Sequence, residues 1–188
     1  MEGLLQRAQR IHEAALAESG TDSVATIAWQ GYEAPQVQFD ELDDIMSDDR
    51  ARAASVALRA LLTELDDNGR VDLTVVGHSY GSLVAAFASR DDDAVEHLIA
   101  LGSPGLGVDN IADLDLGADA TAYQASAPGD LVAQSGWFGE RPDESDFGAV
   151  ALEIQRIEGV SAHSSYFESE PLLDEIGYIA TREAPSES

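Results

Sequence analysis

Leu73-Thr74-Val75-Val76-Gly77-His78-Ser79-Tyr80-Gly81-Ser82 decides the fold. A short apolar run, read as a buried strand, passes into Gly77-His78-Ser79-Tyr80-Gly81, and small residues from Ser82 to Ala88 continue as a helix. The five central residues fit G-x-S-x-G. In that pattern the chain turns sharply from strand to helix and leaves a serine hydroxyl exposed on a strained bend. Glycines on either side let strand and helix approach without an intervening Cβ. The strand before it and the helix after it are what make the match informative.

Working outward, apolar periodicity alternates between helical and extended segments. Residues 2–18 read as a helix with Leu4, Ala8, Ile11 and Ala15 on one face, and Val24 to Trp29 as a buried strand. Ser47-Asp48-Asp49 offers caps for a second helix, whose stripe is Ala54, Leu58, Leu61 and Leu65 and whose end is expected at Asn68-Gly69. After the elbow helix come strands at Val95 to Leu101 and at about Ala120 to Ala125. A last apolar run spans Leu152 to Ile157, and a C-terminal helix opens at Pro171. Strands alternating with helices imply an α/β, three-layer sandwich: a mostly parallel sheet of about five strands covered on both faces. The 188 residues are expected to form a single domain, and ligands to bind at the carboxyl ends of the strands.

Composition narrows the function classes. There are 36 acidic residues against 10 basic ones, all arginine, for a formal net charge of −26. Such a surface repels nucleic acid and anionic membranes, so neither is an expected partner. With no cysteine, neither disulfides nor thiolate metal sites are possible. A serine nucleophile with its own base requires no metal or organic cofactor, and none is expected. No apolar run reaches membrane-spanning length and no signal peptide is evident, which gives a cytoplasmic expectation for the chain as written.

A serine nucleophile needs a base, and the base needs an acceptor that fixes its tautomer. Of the four histidines, His12 is read as a surface residue of the first helix and His97 as a packed strand residue. His78, beside the serine, is expected to point away and serve the structure. His163 remains, in the polar loop Ser161-Ala162-His163-Ser164-Ser165 between the last expected strand and helix. For the acid, Asp130 follows a strand within Ala127-Pro128-Gly129-Asp130, and Asp109 is the alternative because it too follows a strand. Oxyanion donors are expected from the Tyr80 amide and from Gln30 or Gly31. Tyr32, Trp137 and Phe138 are candidates for the substrate pocket.

These segments together resemble a poorly characterised family of bacterial α/β-hydrolases frequent in actinobacteria. The resemblance rests on Trp29-Gln30-Gly31-Tyr32, the elbow from Val76 to Ser82, Gly102-Ser103-Pro104-Gly105-Leu106-Gly107-Val108, Ala127-Pro128-Gly129-Asp130, Phe147-Gly148-Ala149 and His163-Ser164-Ser165-Tyr166-Phe167. It implies a minimal, cutinase-like fold with Ser79, Asp130 and His163 as the catalytic triad. Members often carry a long helical N-terminal region, whereas this chain has one helix ahead of its first expected strand. The implied activity is hydrolysis of a small-molecule carboxylic ester or thioester. The alternatives are a silent binding module on the same fold and an acyltransferase in which an alcohol replaces water.

The charge balance is also expected to reflect adaptation to high salt. At molar ionic strength the Debye length falls to about 3 Å, so repulsion among the carboxylates is screened. The thermal unfolding midpoint should therefore rise between low and molar salt; equal or greater stability at low salt would refute the adaptation.

Overall fold

The computed structural model describes residues 2–20, 23–31, 47–67, 71–91 and 93–182. Four parallel strands pair in chain order: β1 (Leu73–His78), β2 (Val95–Leu101), β3 (Thr121–Ala125) and β4 (Val150–Ala151). Among the described residues four α-helices flank them: α1 (Glu2–Ser19), α2 (Asp49–Asp67), α3 (Tyr80–Ser89) and α4 (Glu170–Thr181). This is the expected α/β architecture with a parallel sheet.

Side-chain alternation along β2 builds the layers. Ile99 and Leu101 join α1 and α4 residues such as Ile11, Leu172 and Ile176 in one core. Leu98 and Ala100 face the other way, against Ala85 and Ala86 of α3. Successive residues of a strand point to opposite faces, so a strand covered on both sides must be apolar throughout. β2 meets that demand from Leu98 to Leu101. On the α3 side, α2 lays Ala51, Ala54, Leu58 and Leu62 against Leu83, Val84 and Phe87. Leu61 and Leu65, expected in the stripe, are only partly buried at its margin.

Two expected strands change. Residues 24–29 form no ladder among the described residues, and Ala25, Thr26 and Ile27 are exposed. An apolar run becomes a strand only where a neighbouring backbone offers partners. Here Trp29 instead packs on the α2/α3 core, and Thr26 meets His12 Nδ1 at 3.1 Å. At the other edge, the run expected as a strand over 152–157 pairs only at its approach. Val150 and Ala151 pair with Tyr123 and Gln124, Leu152 N–H donates to Gln124 O, and the chain then leaves the sheet. The described sheet thus has four strands rather than about five. The expected helix end at Asn68-Gly69 lies outside the described residues.

The start of α2 is locally determined. Ser47 Oγ accepts from Asp49 N–H at 3.2 Å, and Asp48 pairs with Arg52 one turn on. α1 and α4 touch at backbone level, since a Cβ on Gly177 would lie 2.7 Å from the carbonyl carbon of Ala14. Gly177→Ala should therefore destabilise by about 1–3 kcal/mol through overpacking, despite the roughly 1 kcal/mol helix-propensity gain. Gly3→Ala on α1, where a Cβ meets nothing within 4 Å, should be neutral or slightly stabilising. Denaturant unfolding of both variants checks the contrast.

Candidate active site

Ser79 lies between β1 and α3 with φ 56° and ψ −134°, a left-handed turn that a serine adopts only under constraint. The constraints are visible. Ser79 N–H donates to Leu101 O at 2.9 Å, and Ser79 O accepts from both the amide (3.0 Å) and the hydroxyl (2.6 Å) of Ser82. Ser82 Oγ also meets Ser103 Oγ at 2.7 Å in a fully buried contact. Gly77 has no room for a side chain, as a Cβ there would lie 2.5 Å from Ser82 Cα.

Loops at the carboxyl end of the sheet bring His163 and Asp130 to this turn. His163 Nε2 lies 2.8 Å from Ser79 Oγ, and its Nδ1 lies 2.9 Å from both oxygens of Asp130. A carboxylate only accepts, so Nδ1 carries the proton and donates to Asp130; Nε2 is then the acceptor for the serine hydroxyl. Asp109, the alternative acid, is exposed on the loop after β2 and makes no hydrogen bond to His163.

The Asp130 side chain has no exposed surface, yet its carboxylate is well partnered. Oδ1 accepts from the amides of Val132 (3.0 Å) and Ala133 (3.3 Å), and Oδ2 from the hydroxyl of Tyr166 at 2.6 Å. Burial alone would raise its pKa, but the hydrogen bonds from His163 and Tyr166 outweigh it and hold the carboxyl below its ordinary value. Gly102, at φ 57°, makes room, since a Cβ there would sit 2.8 Å from Oδ2.

Tyr166 was not among the residues expected at the site. It lies on a 3₁₀ helix, Ala162–Glu168, where three residues make one turn, so His163 and Tyr166 share a face and both reach Asp130. Its hydroxyl also accepts from Ala127 N–H at 2.9 Å. Burial first, and the Asp130 bond second, push its pKa up, so it remains a donor. The three-residue spacing of His163 and Tyr166 was the signal, legible only once the segment is known to be 3₁₀.

His78 points away from the serine hydroxyl and holds the base from behind. Its Nε2–H donates to His163 O at 2.8 Å, and the two rings lie 4.8 Å apart. Burial, then the proximity of His163, lowers its pKa to about 4. α1 braces the same 3₁₀ helix, with Arg7 over the Phe167 ring and Arg10 paired with Glu168. His97 is packed in β2 against Tyr123, with its ring centroid 5.8 Å away.

The remaining candidates are less concentrated. Tyr80 heads α3; its hydroxyl donates to Ser47 O and accepts from Ala51 N–H, both at 3.0 Å. Gln30 and Gly31 are exposed in the irregular segment after residue 29, and Tyr32 lies outside the described residues. Trp137 and Phe138 line a cleft of about 390 Å³ with Ser47, Asp48 and the loop from Gly107 to Asp109. Among the described residues, no group of three or more metal-ligating side chains converges, and no helix is long and apolar enough to cross a membrane.

Comparison with known proteins adds the family context. A family described as alpha/beta hydrolase matches residues 2–139, a span that holds Ser79 and Asp130 and stops short of His163. Uncharacterised proteins of Mycobacterium tuberculosis and Mycobacterium bovis are each 33% identical over 132 residues, covering 65% of this chain and 47% of theirs. The chain thus spans about half the length of the curated relatives it matches. No solved structure matches it.

The neutral state of His78 has a measurable consequence. The unfolded chain takes up this proton near pH 6.5 and the folded chain only near 4, so the folded-state preference for neutral His78 is complete above the upper value and is lost as pH falls through the window. The stability advantage of wild type over His78→Gln should shrink between those limits. Nuclear magnetic resonance titration should find the His78 ring neutral until about pH 4; protonation in the ordinary histidine range would contradict the burial argument.

Proposed function

Since this chain belongs to the alpha/beta hydrolase family, we propose that it is a serine hydrolase cleaving a carboxylic ester or thioester through an acyl-enzyme on Ser79. The observation that carries the reading is the continuous hydrogen-bonded series from Ser79 through His163 to Asp130, at 2.8 and 2.9 Å. In this mechanism Ser79 Oγ attacks the carbonyl carbon and its proton passes to His163 Nε2. Asp130 retains the Nδ1–H bond and stabilises the imidazolium. Collapse of the tetrahedral intermediate breaks the bond to the alcohol or thiol, which leaves with the proton from Nε2. Water then attacks the acyl-enzyme, gives a proton to His163, and releases the acid as Ser79 Oγ takes that proton back.

Developing negative charge on the carbonyl oxygen needs fixed donors. The Tyr80 amide, at the first position of α3, is one, and the amide of Gln30 or Gly31 is the second. The helix start itself favours the negative charge. The narrower kinship, to minimal cutinase-like members frequent in actinobacteria, is supported by the mycobacterial relatives and by the small sheet.

A fluorophosphonate probe should label Ser79 in the folded protein. Ser79→Ala should abolish labelling and lower ester turnover by at least about 10³-fold, with His163→Ala of similar size. Unlabelled folded protein, or turnover unchanged in Ser79→Ala, would refute the reading and leave a binding module. Transesterified products with added alcohol would identify an acyltransferase instead.

A further inference from the structure

The cleft of about 390 Å³ combines two carboxylates with two aromatic rings, and among the described residues no basic side chain lines it. One wall is the start of α2 with Ser47 and Asp48, the second is Val108 and Asp109, and the third is Trp137 and Phe138. Asp48 shares its charge with Arg52 at 2.7 Å. Asp109 is exposed and makes no ion pair among the described residues. Trp137 is partly buried against the α2/α3 core and also lines the cleft.

The cleft is tied to the serine turn through one side chain. Tyr80 directly follows Ser79, its ring meets the Phe138 ring edge-on at 5.6 Å, and its hydroxyl donates to Ser47 O at 3.0 Å. Tyr80 therefore contacts both the α2 wall and the aromatic wall through its side chain, while its backbone adjoins Ser79.

We propose that this cleft receives the positively charged part of an ester substrate, an amine or quaternary ammonium group, between the Trp137 ring and the Asp109 carboxylate. The assignment rests on the serine hydrolase reading and names its substrate class. An ammonium is attracted to the negative face of an aromatic ring and to a carboxylate, and it loses less hydration against a ring than against a second charge. The volume is in the range that takes a small ligand. The surrounding field, with a formal net charge of −26, concentrates cations and repels substrates that carry carboxylate or phosphate.

The test compares a choline ester with its uncharged isostere, in which tert-butyl replaces trimethylammonium, as kcat/KM of Ser79-dependent turnover. The cationic ester should be favoured by about tenfold, and Asp109→Asn should cut that preference several-fold. Asp66→Asn makes the same charge change on the exposed side of α2, away from the cleft, and should leave the preference intact. Trp137→Leu should also lower it, with thermal unfolding confirming that each variant is folded. Equal turnover of the two esters, or an Asp66→Asn effect as large as that of Asp109→Asn, would overturn the cleft assignment; the second result would assign the preference to whole-molecule charge. A fluorophosphonate-labelled Ser79 without cation preference removes this inference alone. Absence of both labelling and turnover removes it together with the hydrolase reading.

Discussion

A carboxylate with no exposed surface must have its lone pairs filled by the protein, and Asp130 is such a group. Its partners come from two separate parts of the chain: two amides just after it, and the 3₁₀ helix that carries His163 Nδ1 and the Tyr166 hydroxyl. Satisfying one anion therefore fixes the loop after β3 against the 3₁₀ helix ahead of α4. It also dictates the end of β2, where only glycine at position 102 leaves room for Oδ2 and the Tyr166 ring. Removing any one partner leaves the anion under-solvated, so the placement of the His163 ring follows from the needs of the Asp130 carboxylate.

The elbow depends on a second constraint, opposite in kind. Asp130 is held by attraction, whereas Ser79 is held in a left-handed turn by lack of alternatives. Gly77 lies too close to Ser82 to carry a side chain, and the Ser79 carbonyl is bonded twice to Ser82. His78 then connects the two halves, since it belongs to the elbow strand and donates to the backbone of His163. A neutral ring suits that place: a second cation 4.8 Å from His163 would oppose protonation of the base. Strain at the serine and rigidity behind the histidine are thus parts of one preorganised arrangement.

Charge acts at two ranges in this molecule. Over the surface, 36 acidic residues against 10 arginines set a field that acts on every approaching ligand. Within the site the same residue types behave individually. Asp130 is desolvated and fully bonded, Asp48 is paired with Arg52, and Asp109 lines the cleft with no ion-pair partner among the described residues. The local environment, rather than the total, decides which carboxylate is buried and bonded to a histidine and which is exposed.

Much was legible in the sequence because it depends on neighbours within a few residues. The strand-turn-helix at 73–88, the apolar stripes of the helices and the turn around Gly129 follow from period, small residues and caps. The serine, the loop acid and the late histidine could be named from chain order, with Asp109 left as a second acid. Proximity to His163 was needed to separate Asp130 from Asp109, and that is a property of loop packing. Tertiary structure also left Val24 to Trp29 outside the described sheet and ended the run over 152–157 after a two-residue strand, because ladder partners belong to other strands. It alone brought the Tyr166 hydroxyl to Asp130, through a 3₁₀ turn, and gave the His78 ring its partner, the backbone carbonyl of His163. Local chemistry is written along the chain; which groups share a buried charge depends on contacts between residues dozens of positions apart.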